Sequence, residues 1–412
     1  MQIYLVGGAV RDQLLGLPIS DRDWVVVGAT SNDLIKLGFQ QVGKGFPVFL
    51  HPKTHEEYSL ARTERKTGVG YTGFTFYTTP DITIEEDLLR RDLSINAIAQ
   101  TKDGQLIDPY NGEHDIKNRL LRHISNSFEE DPLRILRVAR FAAHLSNQKF
   151  TIANETQSLM KKMVFNNEIG EISAERVWGE TEKALRSSSP ETYFHVLHDC
   201  GTLSILFPEV NQLFGVKSSE DLYNEIDRKM HMFLTLKMAS LLTDNIETRF
   251  AALCHDFSKI LMSQKQYHYH HNYSIKTIKI IDTICKRLRI PNKIKELSKL
   301  VARFQMQVHQ INKLEPKEVI KIFNQLDSWR KSDRINQLAI VCEAVACGRV
   351  GRKDIMYPQT KFLIEAFRIA QQVSIKNITK QDINGYEIRD EITKKRIQAL
   401  VYWRRQQNIL PI

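Results

Sequence analysis

The sequence predicts an α+β fold, in which a head with a small mixed β-sheet and helices precedes an all-helical neck, body and tail. Short runs rich in β-branched and aromatic residues occur up to about residue 110, at 3–6, 24–27, 47–50 and 57–61. After Asp131 such runs nearly vanish, and helical spacing of apolar residues recurs towards the C-terminus. Strands followed by a run of helices are typical of α+β chains.

The helices can be placed individually from their spacing and their start signals. A helix is predicted over 84–99, and Asp131-Pro132 supplies an N-cap and a first helical position for the next one. The segment 63–73, with three glycines among charged residues, predicts a mobile loop. The predicted helices after the head are 131–145, 154–164, 173–187, 190–199, 230–242, 248–260, 274–288, 293–306, 316–326 and 331–347.

Composition limits the class of protein. The 412 residues exceed one ordinary core, and 42% hydrophobic with 26% charged residues is typical of globular proteins. A net charge of +10 favours a polyanionic partner, because lysine and arginine displace counterions from phosphates. Five cysteines without CxxC spacing argue against a disulfide framework or a zinc finger. With no signal pattern and no spanning apolar run, we expect a cytoplasmic protein without a membrane partner.

A glycine-rich turn follows the first predicted strand, in the segment Leu5-Val-Gly-Gly-Ala-Val-Arg-Asp12. Glycine lets a backbone approach a phosphate closely, and a helix that begins near Ala9 offers free N–H groups to an anion. Gly8 and Arg11 are therefore candidate phosphate-binding residues. A plain tight turn is the alternative for the two glycines alone.

Two aspartates with one residue between them follow this turn. Asp21 and Asp23 share one strand face because side chains alternate along a strand, whereas Arg22 takes the other face. Neighbouring carboxylates repel one another unless a cation lies between them, and hard oxygen ligands near phosphates suit Mg²⁺. The pair predicts a metal-dependent phosphoryl- or nucleotidyl-transfer site. Glu57 is a weaker candidate for a third carboxylate.

Two arginine-bearing segments come next. The first, Arg90-Arg-Asp-Leu-Ser-Ile-Asn96, places Arg91 and Asn96 on the predicted 84–99 helix. In the second, Glu130-Asp-Pro-Leu-Arg-Ile-Leu-Arg-Val-Ala-Arg140, arginines recur every three residues and form a basic stripe on one helix side. The stripe consists of Arg134, Arg137 and Arg140. The buried side of the 84–99 helix is expected to consist of Leu88, Leu93 and Ile98.

Together these motifs resemble the bacterial CCA-adding enzymes, the tRNA nucleotidyltransferases of the class II nucleotidyltransferase and poly(A) polymerase superfamily. They stand in family order at family spacing, and the resemblance extends over the chain, most strongly before residue 210. The matching segments are Leu5–Asp12, Asp21-x-Asp23, Arg90–Asn96, Asp108-Pro-Tyr-Asn-Gly-x-x-Asp115, Glu130-Asp-x-x-Arg134 and Glu175-Arg-x-x-x-Glu180.

The resemblance implies addition of CCA to tRNA 3′ ends from CTP and ATP with release of pyrophosphate. Asp21 and Asp23 would be the catalytic carboxylates that hold Mg²⁺. Gly8 and Arg11 would hold the triphosphate, and the region around Arg91 would contact the incoming sugar and phosphate. The expected partners are tRNA and the two nucleotides, without DNA.

The resemblance also implies that a pair of side chains selects the base. Asp131 would accept from the amino group that cytosine and adenine share, and Arg134 would donate to the neighbouring ring nitrogen. Uracil and guanine present the reverse order and would leave both charges unpaired. Arg137 and Arg140 would add nucleotide contacts. The glycine loop at 68–73 could move when the enzyme switches from C to A.

A second possible site lies further along the chain. His255-Asp256, with His231 upstream and His270-His271 downstream, resembles an HD metal-phosphohydrolase domain. Ser258 stands where that family usually has glycine, and 303–306 lacks the expected closing aspartate. Loss of one anionic ligand weakens metal binding, so we predict a retained fold with impaired or absent phosphohydrolase chemistry. A purely structural His255 is an open alternative.

The resemblance implies four parts: a catalytic head (1–139), a neck and body for nucleotide selection and tRNA binding (140–227), an HD-like helical domain (228–329) and a tRNA-binding tail (330–412). A poly(A) polymerase of the same superfamily is the nearest alternative. An HD phosphohydrolase with a degenerate head and a non-catalytic tRNA-binding module are the others.

Overall fold

The computed structural model describes residues 1–19, 21–42, 48–66, 74–166, 168–213, 228–257, 273–373 and 385–407. The chain divides into two compact units. One comprises Met1–Ala184 with Thr192–Leu206, and the other Leu185–Glu191 with Phe207–Ile412. The prediction of a loop over 63–73 is wrong for residues 63–66, which form a strand. Residues 67–73, Ser258 and His270-His271 lie outside the described residues.

The first unit begins with the β-rich head. Its strands are β1 (Gln2–Val6), β2 (Asp23–Val27), β3 (Gln40–Val42), β4 (Val48–Leu50), β5 (Glu57–Leu60), β6 (Thr63–Lys66), β7 (Phe74–Tyr77), β8 (Ala99–Gln100) and β9 (Leu106–Ile107). Its helices are α1 (Gly8–Leu14), α2 (Ser31–Lys36), α3 (Ile84–Leu89) and α4 (Gly112–Asn118). One seven-stranded sheet has the order β3-β4-β5-β2-β1-β8-β9, and β6 pairs separately with β7.

The large sheet is mixed, as predicted. Strands β2 and β5 are parallel, whereas the other neighbouring pairs are antiparallel. Val25 packs with Leu88 of α3 on one face, and Val26 packs with Leu34 of α2 on the other. Because side chains alternate along a strand, Asp23 projects on the face of Val25, which is the face that α3 covers.

The rest of the first unit is mainly helical. It contains β10 (Leu120–Leu121), α5 (Leu133–His144), β11 (Thr151–Ile152), α6 (Asn154–Phe165), α7 (Ala174–Leu185), α8 (Pro190–Asp199) and α9 (Thr202–Leu206), and β10 pairs in parallel with β11. The predicted start of helix α5 is shifted by one residue, because Pro132 and not Asp131 takes the N-cap position and Leu133 is the first helical residue. The carboxylate of Asp131 still accepts a hydrogen bond from the N–H of Leu133, at 3.1 Å from Oδ1.

In the second unit, no strand occurs among the described residues. Its helices are α10 (Pro208–Asn211), α11 (Arg228–Leu242), α12 (Ile246–Cys254), α13 (Tyr273–Arg287), α14 (Asn292–His309), α15 (Pro316–Gln325), α16 (Asp333–Cys347), α17 (Pro358–Gln371) and α18 (Gly385–Gln406). Their core includes the fully buried Ala251, Val301, Leu338 and Leu363. Among the described helices, none has the length and apolarity needed to cross a membrane.

One helix prediction in the head is wrong in extent. The predicted 84–99 helix ends at Leu89, and Arg91 follows in irregular backbone before a 3₁₀ turn at Ser94–Asn96 and strand β8. The N–H of Ser94 donates to the carbonyl of Arg122 at 2.9 Å, and Leu93 forms a bridge with His123. These non-local partners replace the hydrogen bonds that a continuing helix would make.

Candidate active site

The predicted metal carboxylates lie at the beginning of β2. The strand begins at Asp23, so Asp21 belongs to the preceding segment and not to the strand itself. Displacement of water by the surrounding protein raises the pKa of Asp23, the charge of Arg91 lowers it, and the charge of Asp21 raises it further. The charge of Asp21 therefore acts on the carboxylate of Asp23, as expected of two groups that would share a cation.

Glu57 lies beside this pair in the sheet. It is the register partner of Asp23 in the parallel β2–β5 pairing, which places both side chains on the same sheet face. Glu57, Asp23 and Asp21 are all exposed. Among the described residues, these three carboxylates do not lie close enough together to form a preformed three-ligand metal site. Glu57 therefore remains only a candidate for the third ligand.

The glycine turn is shaped by Arg91. Gly7 has a positive φ of 71°, and a Cβ there would lie 3.0 Å from Nη1 of Arg91. Arg91 is held from the other side by Asp87, whose Oδ2 accepts from its Nη2 at 3.2 Å. The turn needs glycine at position 7 because L side chains rarely adopt this positive φ, and the guanidinium of Arg91 lies next to its backbone.

A buried polar network underlies the turn. Asp92 is 5% exposed, and its carboxylate accepts from Arg137 Nε at 2.6 Å, from Asn96 Nδ2 at 3.2 Å and from the N–H of Leu93 at 2.9 Å. Asn96 in turn accepts from Arg11 Nη1 at 2.7 Å. The network joins the predicted phosphate-binding arginine, Arg11, to the predicted nucleotide-binding helix α5.

Replacing the buried Asp92 by asparagine should destabilise the protein by about 1 to 3 kcal/mol, because an amide has one accepting oxygen in place of the two that Arg137, Asn96 and Leu93 share. Desolvation alone would raise the pKa of Asp92, but the charge and hydrogen bond of Arg137 depress it. A depressed folded pKa gives a stabilisation that is complete above the unfolded pKa of about 4 and is lost progressively as the pH falls from there towards the folded pKa.

Urea unfolding at pH 7 and near pH 3 measures the free energies of unfolding, with the exposed Glu113→Gln as the matched control. The stability difference between parent and Asp92→Asn should narrow on acidification. A difference that is negligible at pH 7, or that is independent of pH, would contradict the expectation.

The Asp108–Asp115 motif supports this network. Asp108 caps α4, because its two oxygens accept from the N–H groups of Gly112 and Glu113 at 2.7 and 2.8 Å. A Cβ on Gly112 would lie 2.3 Å from the carbonyl oxygen of Ser94. Asp115 accepts from the hydroxyl of Ser94 at 2.6 Å. The motif thus fixes the backbone that carries Asn96.

The predicted base-selecting pair lies at the beginning of α5. Asp131 is held by Arg176 of α7, with Nη2 and Oδ2 2.7 Å apart. Arg134 is 8% exposed and donates through Nη2 to the carbonyl of Arg90 at 2.7 Å. Its Nη1 is buried and has no hydrogen-bond partner among the described residues. A free donor and a fixed acceptor therefore occur together at this helix end.

The arginine stripe of α5 is not a solvated face, because each of its members has a distinct protein partner. Arg137 pairs with Asp92, and Arg140 Nε lies 2.5 Å from Glu180 Oε2 on α7. Arg11 is likewise engaged, with Asp12 and Asn96. Direct nucleotide contacts by these arginines stay predictions.

Sequence reasoning missed two carboxylates that position the site. Asp87 is fully buried and pairs with both Arg90 and Arg91, and Glu64 pairs with Arg90 at 2.9 Å. The charges of the two arginines lower the pKa of Asp87 against the opposing effect of burial. The spacing of Asp87, three and four residues before Arg90 and Arg91, could have predicted these ion pairs, because such residues are neighbours on a helix.

A second cluster, in the second unit, brings together His231, His255 and Asp256, whose possible ligand atoms lie within 4.8 Å of one another. His255 Nε2 lies 3.4 Å from His231 Nε2 and 3.3 Å from Asp256 Oδ2. The Nδ1 atoms of the two histidines donate to the carbonyls of Gly348 and Ala252. Their Nε2 lone pairs therefore face one another, an arrangement that a cation would stabilise.

The segment 303–306, where a closing aspartate was expected, carries a glutamine instead. Gln305 is buried there, and its Nε2 donates to the backbone carbonyl of His255 at 2.8 Å. His309 lies near the cluster, where burial, followed by the charges of His255 and Arg349, lowers its pKa to about 4. The cluster thus combines two histidines and one carboxylate with a glutamine that supports the backbone.

Comparisons with known proteins agree with this architecture. Residues 3–122 match the family described as the poly A polymerase head domain, and residues 149–214 match the one described as the probable RNA and SrmB-binding site of polymerase A. The head that carries the site is thus similar to the head domains of poly A polymerases.

The whole chain also has the fold of solved CCA-adding enzymes. The Bacillus stearothermophilus CCA-adding enzyme in complex with CTP is 21% identical, with a TM-score of 0.62 over 98% of this chain and 94% of that one. The Thermotoga maritima CCA-adding enzyme complexed with tRNA is 18% identical, with a TM-score of 0.62 over 97% and 87%. The likeness is one of fold over nearly the whole chain, and it agrees with the resemblance that the sequence motifs predicted.

Proposed function

We propose that this protein adds CCA to the 3′ end of tRNA from CTP and ATP and releases pyrophosphate. The observation that carries the proposal is the pair at the beginning of α5. Arg134 offers a buried N–H without a partner among the described residues, next to the fixed carboxylate of Asp131. A donor beside an acceptor matches the edge that cytosine and adenine share, so one pair of side chains selects both without a nucleic-acid template.

The proposed catalytic carboxylates are Asp21 and Asp23. Their oxygen donors, their exposure and their mutual repulsion fit a divalent cation, and hard oxygen ligands beside a triphosphate favour Mg²⁺. When bound, such an ion supplies activation of the attacking 3′-hydroxyl and stabilises the departing pyrophosphate. Arg91, whose charge reaches Asp23, lies beside the glycine turn and would contact the phosphates of the incoming nucleotide.

The remaining arginines are assigned by position. Gly8 and Arg11 would hold the triphosphate at the turn, with Arg11 fixed by Asn96. Arg137 and Arg140 would line the nucleotide site from α5, each oriented by its carboxylate partner. Ion pairs of this kind hold a long side chain in one rotamer and reduce the entropy lost on binding.

For the substrate RNA, the formal charge of +10 supports binding through phosphates. We expect tRNA affinity to fall at least about tenfold between roughly 50 and 200 mM salt, because bound cations release counterions from the RNA. Filter binding or fluorescence anisotropy measures this, with tRNAs of exchanged anticodon as the matched controls. Affinity that is independent of salt, or that depends on the anticodon, would contradict a shape- and phosphate-based mode of binding.

The proposed activity is tested by incubating the purified protein with tRNA that lacks CCA and with each labelled nucleotide singly and in combination. We expect incorporation of C from CTP alone, of A only after two C residues, and rejection of UTP and GTP. Long A tracts from ATP alone would instead identify a poly(A) polymerase. Binding without incorporation would identify a non-catalytic tRNA-binding module.

The second-unit cluster leads to a separate prediction. Because the position of the closing aspartate holds Gln305, we expect no strong phosphatase or phosphodiesterase activity with added Ni²⁺, Co²⁺ or Mn²⁺. His255→Ala and Asp256→Asn should leave nucleotide addition nearly unchanged. Metal-dependent hydrolysis of phosphate esters that disappears in His255→Ala would show that the cluster is a working phosphohydrolase site.

A further inference from the structure

We propose that Arg176 is a specificity-positioning residue, which keeps the base-selecting side chains of α5 apart so that both remain available to the incoming base. The inference rests on the proposed function and deepens it. In the sequence, Arg176 stands out only as the second residue of the motif Glu175-Arg-x-x-x-Glu180, which by itself indicates no role for this arginine.

The carboxylate of Asp131 is fixed at both oxygens. Oδ2 accepts from Arg176 Nη2 at 2.7 Å, and Oδ1 accepts from the N–H of Leu133 at 3.1 Å. Each carboxylate oxygen accepts up to two hydrogen bonds, so these bonds orient the group without filling it. The side chains of Arg176 and Asp131 are 21% and 19% exposed, which leaves the carboxylate within reach of a ligand.

The spacing within α5 makes a competing arrangement easy. Asp131 and Arg134 are three residues apart at a helix start, which is a spacing at which an acid and a base pair with one another. Such a pair would occupy the donor and the acceptor that the base needs. Instead, Arg134 donates to the carbonyl of Arg90 and keeps Nη1 unpartnered within the described residues, while Asp131 is held by Arg176.

Helix α7 holds α5 at two points. One turn after Arg176, on the same helix face, Glu180 lies 2.5 Å from Arg140 Nε. Only the first of these contacts reaches the base-selecting pair. Loss of Arg176 should therefore change the choice of nucleotide, whereas loss of Glu180 should change the rate of addition without changing that choice.

The experiment measures kcat and KM for CTP and UTP on tRNA that lacks CCA, with the parent, Arg176→Ala, Arg176→Lys and Glu180→Gln. For Arg176→Ala we expect the CTP-to-UTP ratio of kcat/KM to fall by about tenfold to a hundredfold, the range a lost pocket contact typically gives. Arg176→Lys should restore part of the ratio. Glu180→Gln should keep it, and so should Lys183→Ala, which removes the exposed lysine that lies 3.9 Å from Glu180.

A double-mutant cycle separates this role from a general effect on folding. If Arg176 acts through Asp131, Arg176→Ala should reduce the ratio no further in an Asp131→Asn background. An unchanged ratio in a folded Arg176→Ala, or an additive loss in the double variant, would overturn the inference and leave the proposed function intact. Failure of the parent protein to add C and A would instead overturn the proposed function.

Discussion

Asp21→Ala and Asp23→Ala should each abolish the addition of both C and A while tRNA binding survives. Loss of an outer-shell partner of a metal already costs about 10- to 100-fold, so loss of a direct ligand should cost at least about a thousandfold. Asp23 begins β2 and Asp21 lies just before it, where the charge of Asp21 raises the pKa of Asp23. Binding is spared because RNA affinity arises from many dispersed phosphate contacts.

Single-turnover incorporation with saturating Mg²⁺ measures the loss, and anisotropy measures tRNA binding in the same preparations. Asp103→Asn, an exposed aspartate in the same unit, is the matched control and should behave as the parent. Glu57→Gln tests whether the register neighbour of Asp23 is a third ligand. Ordinary turnover by either alanine variant would remove that aspartate from the catalytic role.

Asp131→Ala and Arg134→Ala should relax the choice among the four nucleotides more than they weaken triphosphate affinity. A site that hydrogen-bonds a specific edge rejects the wrong edge because buried partners would be left unpaired, a penalty of about 1 to 3 kcal/mol for each group. We therefore expect discrimination against UTP to fall by roughly tenfold to more than a hundredfold in each variant.

The measurement compares kcat/KM for CTP, UTP, ATP and GTP, together with inhibition by pyrophosphate as a probe of the triphosphate site. Lys162→Ala is the matched control, because this exposed lysine of α6 pairs with Glu129 and not with the base-selecting residues. If both α5 variants rejected UTP and GTP as strictly as the parent, base selection would have to lie elsewhere in the protein.

Much of the fold follows from local sequence patterns. Helix α8 was predicted with its observed bounds, and α6 was predicted within one residue, because their apolar spacing and start residues favour a helix without outside help. The last helix placed from the sequence is 331–347, so α17 and α18 were not predicted individually. The short strands β8 to β11 were also missed, since two residues carry too little pattern to be recognised.

The candidate site was predicted as motifs and not as contacts. Spacing identified Asp21 and Asp23 as a carboxylate pair. It did not show that Glu57 is the register partner of Asp23, because strand pairing joins segments that are distant in sequence. Likewise, the arginines of α5 were expected as a basic stripe, whereas the structure gives them separate carboxylate partners on different elements.

The sequence alone determined the α+β division, the glycine turn, the aspartate pair and the position of α5, because each depends on neighbours within a few residues. Only the tertiary structure decided that the chain leaves the helical state after Leu89 and that Arg176 holds Asp131. The physical reason is the same in both cases. Buried polar groups must find hydrogen-bond partners, and here those partners come from segments about thirty or more residues away, which no local pattern specifies.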